Sequence, residues 1–189
     1  IGDYCFCGCS ELTYVSIPSN VTYIGSSAFN SCTRLTTVSI SGSVIEKFDS
    51  VFSYCSNIQY VTVLYGVTTI VDEAFYEFEG LKRITIPDSV TSIGECAFYE
   101  CTGLESFVIP DSVTSIGHGA FAGCTSLKSI TIPDSVTNIG YDAFACCTSL
   151  KSITIPDSVT NIGSRAFDDC TALTTVNYRG TEKQWNAIT

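Results

Sequence analysis

The chain has 189 residues, of which 45% are hydrophobic and only 15% are charged, so its composition argues against an intrinsically disordered chain. The formal net charge of −10 and the isoelectric point near 4.3 argue against nucleic-acid binding, because an acidic surface repels a phosphate backbone. No apolar run reaches the ~18 residues that span a membrane and no segment has the pattern of a signal peptide, so we expect no membrane insertion by this segment.

A leucine or isoleucine returns every 23 residues along the chain, at Leu12, Leu35, Ile58, Leu81, Leu104, Leu127, Leu150 and Leu173. A fixed period of this length predicts a solenoid of stacked coils. We number each coil from this residue, as position 1. The predicted domain organisation is a partial N-terminal coil (residues 1–11), seven complete coils (residues 12–172, coil 1 to coil 7), and a partial coil with a C-terminal cap (residues 173–189).

Within each coil the sequence predicts the same elements in the same order. Positions 3 to 6 alternate in polarity and are rich in Val, Ile and Thr, which predicts a short strand. Proline at position 7 ends that strand, the Pro-Asp-Ser run predicts a turn, and glycine at position 14 allows the next corner. Apolar residues at positions 17, 18 and 21 have the spacing of one helical turn. Stacked coils would bury a continuous core and align their strands in a parallel sheet.

Columns of similar residues mark the side chains that we expect to stack in this core. Position 18 is phenylalanine in the N-terminal partial coil, at Phe6, and in all seven complete coils, at Phe29, Phe52, Phe75, Phe98, Phe121, Phe144 and Phe167. Position 10 is valine from Val21 to Val159, and position 13 is isoleucine in every complete coil except at Lys47. These columns predict a ladder of aromatic and aliphatic side chains along the array.

The eleven cysteines cannot all pair within the chain, because their number is odd. Seven of them share position 21, namely Cys9, Cys32, Cys55, Cys101, Cys124, Cys147 and Cys170. Phe78 takes this position in coil 3, which indicates an apolar slot, so we expect a ladder of buried free thiols. Two alternatives remain open: disulfides between neighbouring coils, and a metal clip formed by Cys5, Cys7 and Cys9.

The consensus LxxVxIPDSVTxIGxxAFxxC resembles the BspA-like leucine-rich repeat in its length and in its IP, IG and AF pairs. The stretch YRGTEKQWNAI (Tyr178–Ile188) resembles the segment that often follows such arrays in bacterial surface proteins. The resemblance implies an α/β solenoid, a right-handed leucine-rich repeat horseshoe or arc, with a parallel β-sheet on the concave face and short helical or 3-10 turns elsewhere. It also implies an extracellular or cell-surface location and a role in adhesion to host proteins or other cells.

Coils 2 and 3 depart from this consensus at two corners. Position 7 is Ser41 in coil 2 and Leu64 in coil 3, whereas position 14 is Phe48 and Val71. Because both coils keep the 23-residue length, we expect them to form with altered corners.

The sequence offers little for catalysis. His118 is the only histidine, so neither a Ser-His-Asp nor a Cys-His arrangement can be argued, and there is no glycine-rich phosphate loop. We therefore expect no enzyme activity and no cofactor.

Two groups of acidic residues have alternative interpretations. The column at position 8 is interpreted as a set of turn residues rather than a cation ladder: Asp88, Asp111, Asp134 and Asp157. A second group, which we call the acidic ridge, consists of Asp72, Glu73, Glu77, Glu79, Glu95 and Glu100. The ridge is either a solvated surface or a site for a ligand or Ca²⁺, and the sequence leaves both open.

The best candidates for ligand contacts lie in the early coils. Tyr14, Tyr60 and Arg83 share position 3 on the predicted strand face, and Tyr65 and Tyr99 lie on nearby turns. Tyrosine and arginine are enriched at binding hot spots, whereas the later coils carry mostly Ser and Thr on this face.

The sequence therefore favours an extracellular adhesion module that binds a protein ligand on a host or neighbouring cell. The alternative is a structural spacer that displays another domain. Trp185, the only tryptophan, is expected to pack over the last coil as part of a cap.

Overall fold

The computed structural model describes residues 1–41 and 48–189, and only the main chain of Asp49. The sequence predictions at Val44 and Lys47 lie outside the described residues. The described elements, in chain order, are β1 (Tyr14–Ser16), β2 (Thr37–Ile40), α1 (Phe48–Val51), β3 (Tyr60–Val63), β4 (Thr69–Ile70), β5 (Arg83–Thr85), β6 (Ser92–Ile93), β7 (Phe107–Val108), β8 (Ser115–Ile116), β9 (Ile130–Thr131), β10 (Asn138–Ile139), β11 (Ser152–Ile155), β12 (Asn161–Ile162), β13 (Thr175–Tyr178) and α2 (Glu182–Trp185).

The predicted strand forms within positions 3 to 6, and these first strands pair in parallel at a spacing of 23 residues in three groups, β1-β2-β3-β5, β7-β9 and β11-β13. The register of position 3 runs from Tyr14 to Thr37, then to Tyr60, then to Arg83. Alternate side chains point inward, as in β3, where Val61 and Val63 are buried. The structure thus confirms a parallel solenoid in which the first strands form one face, which we call the strand face.

A second parallel sheet, which the sequence did not predict, follows positions 12 and 13 of each coil. It contains five strands in the spatial order β12-β10-β8-β6-β4. Its isoleucines, such as Ile93 and Ile116, are buried, while the preceding serines are partly exposed. The alternation lasts only two or three residues per coil, which is too short to predict a strand from the sequence.

The segment with the spacing of one helical turn, positions 16 to 21, is held mainly by bonds between coils. Its N–H groups at positions 16, 18 and 20 donate to carbonyls of the next coil; Cys96, Phe98 and Glu100 do so at 2.8 Å each. The main chain is left-handed at positions 16 and 20, as shown by φ values of 50° at Cys96 and 53° at Glu100. Alternate amides therefore point along the stack. The expected helical turn is a run of tight turns, and α1 is the single helix that the described coils contain at this side. We call this side the turn face.

The core is built from the phenylalanine column. Phe121 stacks on Phe98 at 5.2 Å and on Phe144 at 5.4 Å between ring centroids, with interplanar angles of 10° and 1°. Phe107 meets the Phe121 ring edge-on at 4.9 Å. Because Phe121 is fully buried, each ring in the middle of the array packs against copies of itself on both sides.

Glycine at position 14 is required by the close approach of neighbouring coils. A Cβ on Gly117 would lie 2.5 Å from the carbonyl carbon of Gly94, and one on Gly140 would lie 2.6 Å from the carbonyl carbon of Gly117. Both contacts are with main chain, which cannot rotate away. Any larger residue at this corner therefore forces two coils apart.

The C-terminal segment folds back on the last coils. Trp185, in α2, lies 5.2 Å from the ring of Tyr178 and remains 42% exposed, so it covers the end of the array only in part. The carbonyl of Thr189 accepts a bond from the N–H of Ile162 at 2.9 Å. Within the described residues no helix is both long and apolar enough to cross a membrane.

Candidate binding surfaces

The strand face brings together three of the five predicted contact residues. Tyr14, Tyr60 and Arg83 lie in one column, with Thr37 between the two tyrosines and Arg83 directly beside Tyr60 in register. Tyr14 is 55% exposed and Tyr60 is 46% exposed. Strand pairing fixes the spacing of these side chains, at about 4.8 Å per strand.

A shallow cavity of about 460 Å³ continues this column beyond Arg83. Its lining includes Arg83, Asp88, Ser106 and Val108, and the Val108 side chain is 80% exposed. The guanidinium of Arg83 makes no hydrogen bond or ion pair with any residue that the structure describes. A charged group and an apolar group are therefore both available to a ligand at this end of the column.

Tyr65 and Tyr99 do not join the same surface. Tyr65 is 88% exposed in the turn that follows β3, five residues beyond Tyr60. Tyr99 lies on the turn face, where its ring stacks on Tyr76 at 4.9 Å with an interplanar angle of 9°. The carboxylate of Glu100 raises the pKa of Tyr99, by its charge and by a hydrogen bond.

The acidic ridge also lies on the turn face. Asp72 has a structural task there, because its Oδ1 accepts the N–H of Glu95 in the next coil at 2.7 Å. Across residues 1–41 and 48–189, no three His, Cys, Asp or Glu side chains are arranged to hold a metal ion. This finding covers the acidic ridge and also Cys5, Cys7 and Cys9, so the geometry gives no support to a cation site at either place.

The cysteines of position 21 form hydrogen bonds along the stack. The Sγ of Cys124 donates to the carbonyl of Phe98 at 3.2 Å, and that of Cys147 donates to the carbonyl of Phe121 at 3.3 Å. All eleven cysteines are free thiols; six of position 21 are buried, and Cys9 is exposed in the terminal coil. Burial raises the pKa of Cys55 to about 11 and that of Cys101 to about 12. Such thiols stay protonated near neutral pH and are poor nucleophiles.

The stack opens on the turn face between coils 2 and 3. Phe48, at the position that is glycine in most other coils, is turned into the core, where its ring lies 4.7 Å from Phe52 and 4.8 Å from Phe75. It thus separates two rings of the phenylalanine column.

Position 14 of coil 3 is Val71, so both glycines are missing at this pair of coils. The Cβ at position 14 faces the preceding coil, as Gly117 faces Gly94, so Val71 occupies the corner that faces coil 2. The altered corners noted in the sequence therefore have a structural consequence: the Phe48 ring separates two rings of the column, and Val71 has a side chain where coils 1 and 4 to 7 have glycine.

The opening is a cleft of about 940 Å³, which we call the coil 2–3 cleft. Its described lining comprises Phe48, Ser50, Phe52, Tyr54, Cys55, Ser56, Asp72, Glu73, Ala74, Tyr76, Glu77, Phe78, Glu79, Gly80 and Thr102. The sequence indicates the acidic ridge and the altered coils as two separate features. That they meet in one concave site does not follow from the sequence, because it depends on the separation of coils 2 and 3 by the Phe48 ring.

His118 is exposed at position 15, with its ring 6.4 Å from that of Tyr141. The surfaces described above carry tyrosines, carboxylates and one arginine, but they do not present a nucleophile with a base beside it.

The repeat and its fold agree with a known family. Residues 1–105 and 91–187 match the family profile described as a BspA type leucine-rich repeat region, with six copies of the repeat. The chain belongs to this family. Leucine-rich repeat proteins commonly bind proteins and are generally non-catalytic.

Solved structures of leucine-rich repeat proteins are similar to this chain. A leucine-rich repeat protein from Bacteroides ovatus matches 95% of this chain at 30% identity, with a TM-score of 0.73, and this chain spans 45% of its length. The leucine-rich repeat protein of T. pallidum matches 92% of this chain and 71% of its own length at 27% identity, with a TM-score of 0.56. The pneumococcal vaccine antigen PcpA shares the fold, with a TM-score of 0.51 and 19% identity. The match covers 91% of this chain and 58% of PcpA. No curated protein sequence matches the chain.

Proposed function

We propose that this BspA-type array is an adhesion module, located outside the cell or at its surface, that binds a protein on a host or neighbouring cell. The observation that carries the proposal is the exposed column of Tyr14, Tyr60 and Arg83 on the strand face. Their rings and guanidinium project from paired strands whose main chain is already ordered, so contact with a partner has to order only the side chains. Side chains of these types supply much of the binding energy at protein interfaces.

The strand face is uneven along the array, and this supports a binding site in the early coils. In coils 6 and 7 the exposed residues at positions 3 and 5 are small, as at Ser129, Thr131, Ser152 and Thr154. Small hydroxyl side chains bury little area against a partner. The contact surface therefore extends from Tyr14 to the cavity beside Arg83.

The proposal is tested with the double variant Tyr60→Ala/Arg83→Ala, whose binding to immobilised extracellular-matrix proteins is compared with that of the unchanged chain. Loss of two hot-spot residues should weaken binding by at least about 30-fold, equivalent to ~2 kcal/mol. The matched control, Ser152→Ala/Thr154→Ala, alters the same face in coil 7 and should bind as the unchanged chain does.

Two outcomes would count against the proposal. If both double variants bind equally well, the early strand face is not the contact surface. If the unchanged chain binds none of the matrix proteins and no host cells, the uniform face of the later coils favours the alternative function, a spacer that displays another domain.

A further inference from the structure

The coil 2–3 cleft differs from every other junction in the described stack in its main-chain bonding. In coil 3 the N–H groups of Glu73, Phe75 and Glu77 donate to coil 4, as the corresponding groups do in coils 4 to 6. In coil 2 the N–H of Phe52 donates instead to the carbonyl of Phe48, the first residue of α1. The N–H of Tyr54 has no partner among the described residues.

The opposite wall of the cleft is left with acceptors. In coils 1 and 4 to 7, the carbonyls at positions 15, 17 and 19 accept a bond from the preceding coil; in coil 3 these carbonyls belong to Asp72, Ala74 and Tyr76. None of the three receives a donor from a described residue. The same three main-chain carbonyls are paired in coils 1 and 4 to 7. Carbonyls without a donor among the described residues can accept bonds from another chain, as the edge of a sheet does.

The side chains that line the cleft combine apolar and aromatic groups. Phe48 and Phe52 are buried at its base, and Phe78 is half-buried and lies 5.0 Å from the ring of Phe48. Tyr54 is 80% exposed. The volume of about 940 Å³ is at the upper end of the range found for ligand pockets.

The charge of the cleft favours a ligand of positive charge. Its described lining carries four carboxylates, those of Asp72, Glu73, Glu77 and Glu79, and no Lys, Arg or His. Tyrosine rings add to this preference, because a cation is attracted to the face of an aromatic ring. A cationic ligand is complementary to this surface, whereas an acidic one is repelled.

We propose that the coil 2–3 cleft binds an extended segment of a partner protein in which basic side chains alternate with apolar ones. Side chains of an extended chain point alternately to opposite sides. One set therefore reaches Phe78 and Tyr54 while the other meets the carboxylates of Glu77 and Glu79. The main chain of the segment supplies N–H donors for the carbonyls of Ala74 and Tyr76.

The cleft lies on the turn face and is independent of the strand-face column that carries the proposed adhesion site. Its test therefore uses variants that leave Tyr60 and Arg83 unchanged. Failure at one surface says nothing about the other, and the two proposals can be rejected separately.

The test measures fluorescence anisotropy of a labelled, end-blocked peptide, Arg-Phe-Arg-Phe-Arg, titrated with the complete chain. We expect saturable binding that weakens at least about fivefold in Glu77→Gln/Glu79→Gln, because two charge contacts are lost. The main chain is left-handed at Tyr54, and asparagine tolerates this conformation. Tyr54→Asn therefore removes the aromatic ring without straining the main chain, and it should also weaken binding. The control Glu105→Gln/Asp157→Asn removes two exposed carboxylates away from the cleft and should leave affinity unchanged.

Other outcomes would overturn the proposal. Equal weakening by the control variant would mean general attraction to an acidic protein. Equal binding of Arg-Ser-Arg-Ser-Arg would mean that the apolar groups take no part. Absence of binding by Arg-Phe-Arg-Phe-Arg would also reject the proposal. So would peptide binding that is displaced by Ca²⁺ alone and has the same affinity in the cleft variants as in the unchanged chain.

Discussion

Replacing Phe121 by alanine should lower the free energy of unfolding by about 3–5 kcal/mol, the largest effect that we expect from a single substitution in this array. Phe121 is fully buried, stacks on Phe98 and Phe144, and meets Phe107 edge-on. Its removal leaves a cavity that touches two junctions between coils at once, and neither coil can move inward without breaking its hydrogen bonds to the other. Urea denaturation followed by circular dichroism measures the change.

The same substitution at the end of the array provides a matched comparison. Phe167 is only half-buried, and its stacking partner within the described column is Phe144. Because stability in a solenoid is close to a sum over coils and their junctions, Phe167→Ala should cost roughly half as much as Phe121→Ala. Equal costs at the two positions, or a cost of less than about 1 kcal/mol at Phe121, would contradict the stacked core.

The second large effect is expected at the glycine corner, where Gly117→Ala should cost about 2–3 kcal/mol. Its Cβ would lie 2.5 Å from the carbonyl carbon of Gly94 and 2.7 Å from the main-chain nitrogen of Glu95. The clash of this Cβ can be relieved only if the two coils separate. Separation strains the hydrogen bond from the N–H of Gly117 to the carbonyl of Ile93, which is 2.8 Å long. The melting temperature and the urea midpoint should both fall.

Gly2→Ala is the control for this corner. A Cβ on Gly2 would meet nothing within 4 Å, and its φ is not positive, so the change should alter stability by less than about 0.5 kcal/mol. If Gly117→Ala proves as neutral as Gly2→Ala, close contact between coils is not the reason for glycine at position 14.

The sequence predicts the repeat, the first strand and the parallel stack, because these depend on features that recur in every coil. Side chains such as Ile153 and Ile155 alternate with Ser152 and Thr154, and this pattern has one reasonable solution when it is repeated every 23 residues. The buried column of cysteines is visible for the same reason. Repetition supplies the evidence that one short strand alone would not.

The left-handed main chain at positions 16 and 20 could not be predicted from the sequence. Coil 5 has glycine at both places, Gly119 and Gly123, but other coils carry residues such as Cys96, Glu100 and Arg165 there. Residues of these types do not indicate a positive φ. Their conformation is imposed by the hydrogen bonds between coils and by the core below them, which are non-local.

The coil 2–3 cleft was only partly predictable. The loss of glycine at Phe48 and Val71 was plain, and so was the acidic ridge nearby. Whether a bulky residue at the corner points outward or into the core depends on the space between Phe52 and Phe75, which is set by non-local packing and is not visible in the sequence. Irregular coils of a solenoid therefore indicate where to search for a site, but they do not give its shape.

The stack opens between coils 2 and 3 and at no other junction among the described residues. Amide hydrogen exchange resolved at single residues tests it without any ligand. The N–H groups at position 20 of coils 1 and 3, Ser31 and Glu77, donate across their junctions at 3.0 and 2.7 Å, whereas that of Tyr54 has no described partner. We predict that Tyr54 exchanges at least about 100-fold faster than Ser31 and Glu77. Equal protection of all three amides would show that the junction between coils 2 and 3 is closed and that the cleft does not exist in solution.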